Sequence, residues 1–177
     1  MKFHLRKREV TGNLLSDFIL GGQDGLVNVL GLVLGVATAT DSKKVVIIAA
    51  LAALAAESIS MAAVAYTSTK ALQDYYKKRK EKNHVDLKNP AHSAFVVGLS
   101  SLVGSLIPLI PFFLLPVKSA MIVSIIESVI ILFIAGALKA KLTVGNWKRS
   151  GIEMAVIGTI AALAGYGIGL LLGVAPL

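Results

Sequence analysis

Cysteine is absent from the 177 residues, which excludes a disulfide framework and any thiolate metal site. Charge is scarce as well, with Asp, Glu, Lys and Arg together making up 16% of the chain. The short patterns of common enzyme chemistries are missing: there is no H-E-x-x-H, P-loop, dinucleotide-binding glycine pattern or G-x-S-x-G. No nucleophile–base pairing is visible, so the chain does not read as an enzyme and calls for no cofactor. No tandem repeat occurs either. The opening "MKFHLRKRE" looks like the start of a signal peptide. The apolar stretch behind it is too long, however, and no A-x-A-like cleavage site follows promptly, so the first helix reads as retained.

What is present is apolar. Hydrophobic residues make up 55% of the chain, and five segments are long enough to cross a hydrocarbon core of about 30 Å at about 1.5 Å per residue. They run at about Phe18–Ala39, Val45–Ala65, Ala94–Leu115, Ala120–Leu138 and Met154–Ala175. The expected fold is all-α: one polytopic five-helix domain over residues 1–177, with a cytoplasmic hairpin at about 70–92. The second helix is expected to continue past Tyr76 and the chain to break at Asn89-Pro90.

A net charge of +8 raises nucleic acid as a partner, but its distribution argues against one. Of the 18 Lys and Arg residues, four precede the first span, seven lie between the second and third (Lys70, Lys77, Lys78, Arg79, Lys80, Lys82, Lys88), and four lie between the fourth and fifth (Lys139, Lys141, Lys148, Arg149). Only Lys43, Lys44 and Lys118 fall in the opposite set of loops. This positive-inside bias predicts a cytoplasmic N-terminus and an outer C-terminus, with basic residues near anionic headgroups. An odd number of spans leaves no room for two inverted halves in one chain, so a two-fold pathway would require a homodimer.

The first span carries Asp17, Gly21, Asp24, Asn28, Gly31, Gly35, Thr38 and Ser42 at alternating steps of four and three, a stripe with no large apolar residue. Small residues let membrane helices approach closely, and polar groups in lipid must face protein or water. The stripe is therefore expected to face a helix partner or a wet cavity. Asp17 reads either as an interfacial charge or as a metal ligand. Asp24 lies deep, where carboxylates mark ion or proton paths unless paired or protonated. Asn28 reads as helix glue or as part of a path.

On the second span Glu57, Ser60 and Met61 come to one face. Met61 alone would be core filling. Beside Glu57 it completes a set of carboxylate oxygen and thioether that suits a first-row divalent metal better than magnesium or calcium. Emptied of metal, such acids could take protons, which is the minimal equipment for exchanging a metal ion against protons. Glu127 reads either as a proton or ion ligand or as a packed structural acid. Glu153 reads as a surface acid beside Arg149. Pro108 and Pro111 should bend the third span, and Gly158, Ala162, Gly165, Gly169 and Gly173 form a small-residue packing face on the fifth. His4, His84 and His92 are scattered and make a weak metal signal.

Four stretches in order, "GGQDGLVNVLGLVLGVATA", "AAESISMAAVAYTSTKA", "NPAHSAFVVGLSSLVGSLIPLIPF" and "ALKAKLTVGNWKRSGIEMAVIGTIAALAGYGIGLLLG", resemble the vacuolar iron transporter family. The resemblance implies a five-helix homodimer with its ion path between the first two helices of both subunits. It also implies proton-coupled export of ferrous iron, and sometimes manganese, from the cytosol. Asp17, Asp24 and Met61 match positions of the family's ion path, and Glu57 stands one turn before the Ser60-Met61 motif. One departure stands out. The eukaryotic members carry a glutamate-rich metal-binding region between the second and third helices; here that stretch is "LQDYYKKRKEKNHVDLK", short and basic. The compact form suggests a prokaryotic protein in the plasma membrane. The alternatives are a membrane scaffold that transports nothing, whose acids seal helix contacts, and a transporter of another cationic solute.

Overall fold

The computed structural model describes residues 2–78, 88–143 and 145–173, with side chains from residue 12 onward. The middle of the basic hairpin (residues 79–87, including His84) and the side chain of His4 lie outside the described residues. Every regular element among the described residues is helical: α1 (Lys2–Thr40), α2 (Lys43–Lys78), α3 (Pro90–Leu106), a 3-10 turn (Ile107–Leu109), α4 (Ile110–Leu114), α5 (Val117–Leu142) and α6 (Trp147–Gly173). Five stretches are long and apolar enough to cross a membrane: Gly12–Thr40, Lys43–Lys78, Pro90–Leu114, Val117–Leu142 and Trp147–Gly173. The chain is a multi-pass membrane protein.

The helices outrun the apolar stretches that announce them. At about 1.5 Å per residue, α2 is about 54 Å long, well beyond a hydrocarbon core of about 30 Å. It ends on Lys77 and Lys78, cations that suit the negative end of the helix dipole. Asn89, at φ −73° and ψ 121°, is the N-cap of α3 and accepts hydrogen bonds from the backbone N–H of Ala91 and His92 at 3.0 and 3.3 Å. Pro90 at the first helical position needs no donor there. At the other end of the bundle Asp41, with φ 46°, turns the chain between α1 and α2. Asp tolerates this left-handed conformation better than most residues.

The third span is two helical pieces rather than one bent helix. Pro108 and Pro111 remove the N–H groups that would reach Gly104 and Ile107 in an α-helix. Both carbonyls recover a partner by tightening: the N–H of Ile107 reaches the Gly104 carbonyl and the N–H of Ile110 reaches the Ile107 carbonyl. That is the 3-10 pattern. Ser124 of α5 then donates to the Pro108 carbonyl at 2.8 Å. The break therefore leaves these carbonyls satisfied at membrane depth.

α1 is the central helix. It packs most extensively on α3 and α6, and also on α2 and α5. Its Val29, Leu30, Val33 and Leu34 are fully buried, with Val46, Leu109 and Phe112 around them. The outer faces carry exposed Ile59, Phe95, Leu163 and Leu171, side chains suited to lipid rather than water.

Candidate functional site

The polar stripe of α1 does not face one neighbour. Its glycines mark where backbones meet, and the stripe divides among three helices. At one end Gly21 lies against Val97, Ser100 and Ser101 of α3, so that a Cβ built there would sit 3.0 Å from the Ser101 nitrogen and nearer still to the other two. At the far end Gly31 and Gly35 lie against α6. A Cβ on Gly165 would fall 2.8 Å from the Gly31 Cα, and one on Gly169 would fall 2.8 Å from the Thr38 Cβ. Between these two contacts, Asp24 and Asn28 are turned toward α2.

There they meet Glu57. The Asn28 amide donates from Nδ2 to Glu57 Oε1 at 2.9 Å, across 29 residues of sequence. Asp24, one turn before Asn28 on α1, is close enough for its charge to act on Glu57. At about 1.5 Å per residue, Asn28 lies about 18 Å from the end of α1 at Thr40, and Glu57 about 21 Å from the start of α2 at Lys43. Both are therefore near the middle of the slab. Asp24, Glu57 and Met61 are half-buried, whereas Asn28 and Ser60 are exposed. Met61 follows Glu57 by one helical turn and Ser60 stands on the open flank of α2. The result is two carboxylates and an amide at mid-depth, opening on the surface of the bundle. Among the described residues no three of His, Asp or Glu converge, so the cluster holds two carboxylates.

Asp17 is placed apart from this cluster, two turns toward the α2–α3 end of the bundle. It is 5% exposed and its Oδ1 pairs with Lys88 Nζ at 2.6 Å. Lys88 is itself anchored, since Gln73 of α2 donates to its backbone carbonyl at 2.8 Å. Asp17 thus ties α1 to the segment that enters α3. Sequence inspection passed over Lys88 because it stands in a basic run with no periodicity, 71 residues from its partner. Replacing Lys88 with Met should cost about 1–3 kcal/mol by leaving a buried carboxylate unpaired. The drop in melting temperature in detergent should be largely recovered by adding Asp17→Asn; an undiminished loss in the double variant would show that the pair is not what Lys88 contributes.

Glu127 is not part of the α1–α2 cluster. It sits on α5, which packs on α1, α4 and α6, with Oε1 buried and unpartnered. Glu153 pairs with Arg149 at 3.2 Å on the exposed face of α6. His92 is exposed in the first turn of α3. Ser58, absent from the sequence-level candidates, is buried with its Oγ unpartnered. It belongs to the stripe Val46, Ala50, Leu54, Ser58 of α2, a step of four that could have revealed it, and its carbonyl lies near Gly98 of α3.

Comparison with known proteins gives one consistent result. The VIT family pattern matches residues 15–89 and 79–170. An uncharacterized protein of Methanocaldococcus jannaschii is 31% identical over 86% of this chain and 86% of its own. Protein CCC1 of Saccharomyces cerevisiae is 30% identical over 94% of this chain and 71% of its own. Vacuolar iron transporter 1 of Arabidopsis thaliana is 25% identical over 92% of this chain and 88% of its own. The Arabidopsis alignment runs over 219 residues, longer than this 177-residue chain, so the plant protein carries inserted segments that this chain lacks. The archaeal alignment runs over 167.

Proposed function

Because the chain belongs to the VIT family, we propose that it exports a divalent transition metal from the cytosol, ferrous iron first and manganese second, in exchange for protons. It is a membrane protein and not an enzyme. The observation that carries the transport reading is the meeting of Asp24, Asn28 and Glu57 at mid-membrane on the open face of α1 and α2. Two carboxylates this close, in a low-dielectric setting, need a cation or protons between them. A site that alternates between those two occupants is an exchanger.

Three further points support the reading. A charge facing hydrocarbon costs roughly 2.5 kcal/mol or more, so an acid pair open on one protomer calls for a cover, and a second copy would supply both the cover and two more carboxylates. The homodimer thus turns two half-sites into a path. Thioether sulfur from Met61 would favour iron over magnesium. The bias of Lys and Arg toward the α2–α3 end orients that end to the cytosol. There Asp17 stands at the mouth, released from Lys88 when an ion arrives. The prokaryotic plasma membrane is the location we read for it, given the archaeal relative of similar extent.

The test is transport into proteoliposomes loaded with a metal-sensitive dye. An imposed proton gradient should drive ferrous and manganous uptake, and a protonophore should collapse it. Flux equal to that of protein-free liposomes would remove the proposal.

A further inference from the structure

At the α1–α2 end of the bundle, a cleft of about 640 Å³ opens between the end of α1, the start of α5 and the middle of α6. Its mouth holds two opposite charges, Asp41 at the corner after α1 and Lys118 in the first turn of α5. Neither belongs to any of the three ion pairs among the described residues. Below the mouth the walls descend through Ile125 and Leu163. Ile125 lies about 12 Å below the start of α5 at about 1.5 Å per residue, slightly less than half of a hydrocarbon core of about 30 Å. The cleft therefore reaches about as deep as one leaflet.

The chemistry of the walls narrows the occupant. Two threonine hydroxyls line the cleft, on Thr38 and Thr159, but both donate within their own helices, to the Leu34 carbonyl at 2.7 Å and the Ala155 carbonyl at 2.9 Å. Beneath the mouth the surface therefore offers little to a sugar or a peptide and much to a hydrocarbon chain. Tyr166 adds a phenol to the wall. An amphiphile that fits lays one apolar tail in the cleft and leaves any other in the bilayer, with a phosphate at Lys118 and an ammonium at Asp41. We propose that this cleft binds a phospholipid whose headgroup carries a primary amine, such as phosphatidylethanolamine. Only an ammonium with N–H groups donates to the Asp41 carboxylate. A choline headgroup has none to give, and a glycerol headgroup brings no cation of its own to the carboxylate. The proposal is independent of the transport reading, because it uses other residues at another end of the molecule.

The experiment is native mass spectrometry of the detergent-purified full chain titrated with phosphatidylethanolamine, phosphatidylcholine and phosphatidylglycerol of identical acyl chains. Phosphatidylethanolamine should bind about tenfold more tightly than the other two, the scale of one charge-assisted hydrogen bond. Asp41→Asn should erase that preference, whereas Lys118→Gln should weaken binding of all three lipids together, with lipid-free melting temperatures unchanged in both. The titration of the unaltered protein stands by itself if a variant fails to fold. Equal binding of the ethanolamine and choline lipids would overturn the proposal, as would full preference in Asp41→Asn. So would a cross-link from the cleft to a second copy of the chain.

Discussion

Glu57→Gln and Asp24→Asn proteins, reconstituted at equal density, should move ferrous ion roughly 10- to 100-fold more slowly than the unaltered protein. Each change keeps the shape and most of the hydrogen-bonding capacity of the side chain while removing one negative charge from the mid-membrane pair. In the Glu57→Gln protein the Asn28 amide can still donate to the carbonyl oxygen of the new side chain, so the α1–α2 contact at 2.9 Å has no reason to open. Assembly should therefore be unaffected, and size-exclusion profiles should coincide with those of the unaltered protein. A scaffold whose acids merely seal helix contacts predicts the reverse. Neutralising a half-buried like-charged pair would then raise the melting temperature, and calorimetry with ferrous, manganous, cobalt and magnesium ions would register no binding to any variant. Met61→Ala should lower flux less than either acid change, with a larger loss for iron than for manganese, because thioether sulfur is the softer ligand. Unchanged flux in Asp24→Asn would end the assignment of the pair as the ion site.

Gly165→Ala should prevent recovery of folded protein or cost about 3 kcal/mol or more, while Gly167→Ala, two residues along the same helix, should be neutral or stabilising by up to about 1 kcal/mol. The contrast isolates packing from helix propensity. Both changes gain the intrinsic preference of Ala over Gly in a helix. At Gly165, however, the new methyl would meet the backbone of Gly31, 2.8 Å from its Cα and nearer still to its carbonyl oxygen, whereas at Gly167 nothing lies within 4 Å. A backbone obstacle cannot rotate away. In a bilayer, where no hydrophobic effect drives helices together, close packing of this kind is a main source of cohesion. Since α1 also carries Asp24 and Asn28, pushing α6 off Gly31 would disturb the helix that presents the site. Thermal unfolding in detergent of the two variants decides the matter, and equal melting temperatures would contradict it.

The glycines also show where reading along the chain stops. A period of 3.5, close to the roughly 3.6 residues of a helical turn, groups Asp17, Gly21, Asp24, Asn28, Gly31 and Gly35 along α1. Periodicity names a face and not the neighbour that fills it. The structure distributes that face among α3 at Gly21, α2 at Asp24 and Asn28, and α6 at Gly31 and Gly35. It also brings Gly22, Gly25 and Gly104 into the α1–α3 contact, where a Cβ on Gly104 would stand 3.1 Å from the Gly22 Cα. Lys88 shows the same limit: a salt bridge spanning 71 residues leaves no local trace.

From composition and pattern alone come the five apolar spans, the helical class, the asymmetry of basic residues and the depth of Asp24 and Glu57. Each follows from local physics, since hydrocarbon thickness sets span length and the cost of bare charge in lipid flags the acids. Tertiary structure decided which helix lies at the centre, how the prolines near Ile107 are reconciled with lipid, and that Asn28 bridges to Glu57 while Lys88 holds Asp17. Those outcomes depend on contacts between residues far apart in the chain, and close approach is possible only where glycine or serine on one helix meets a complementary backbone on another.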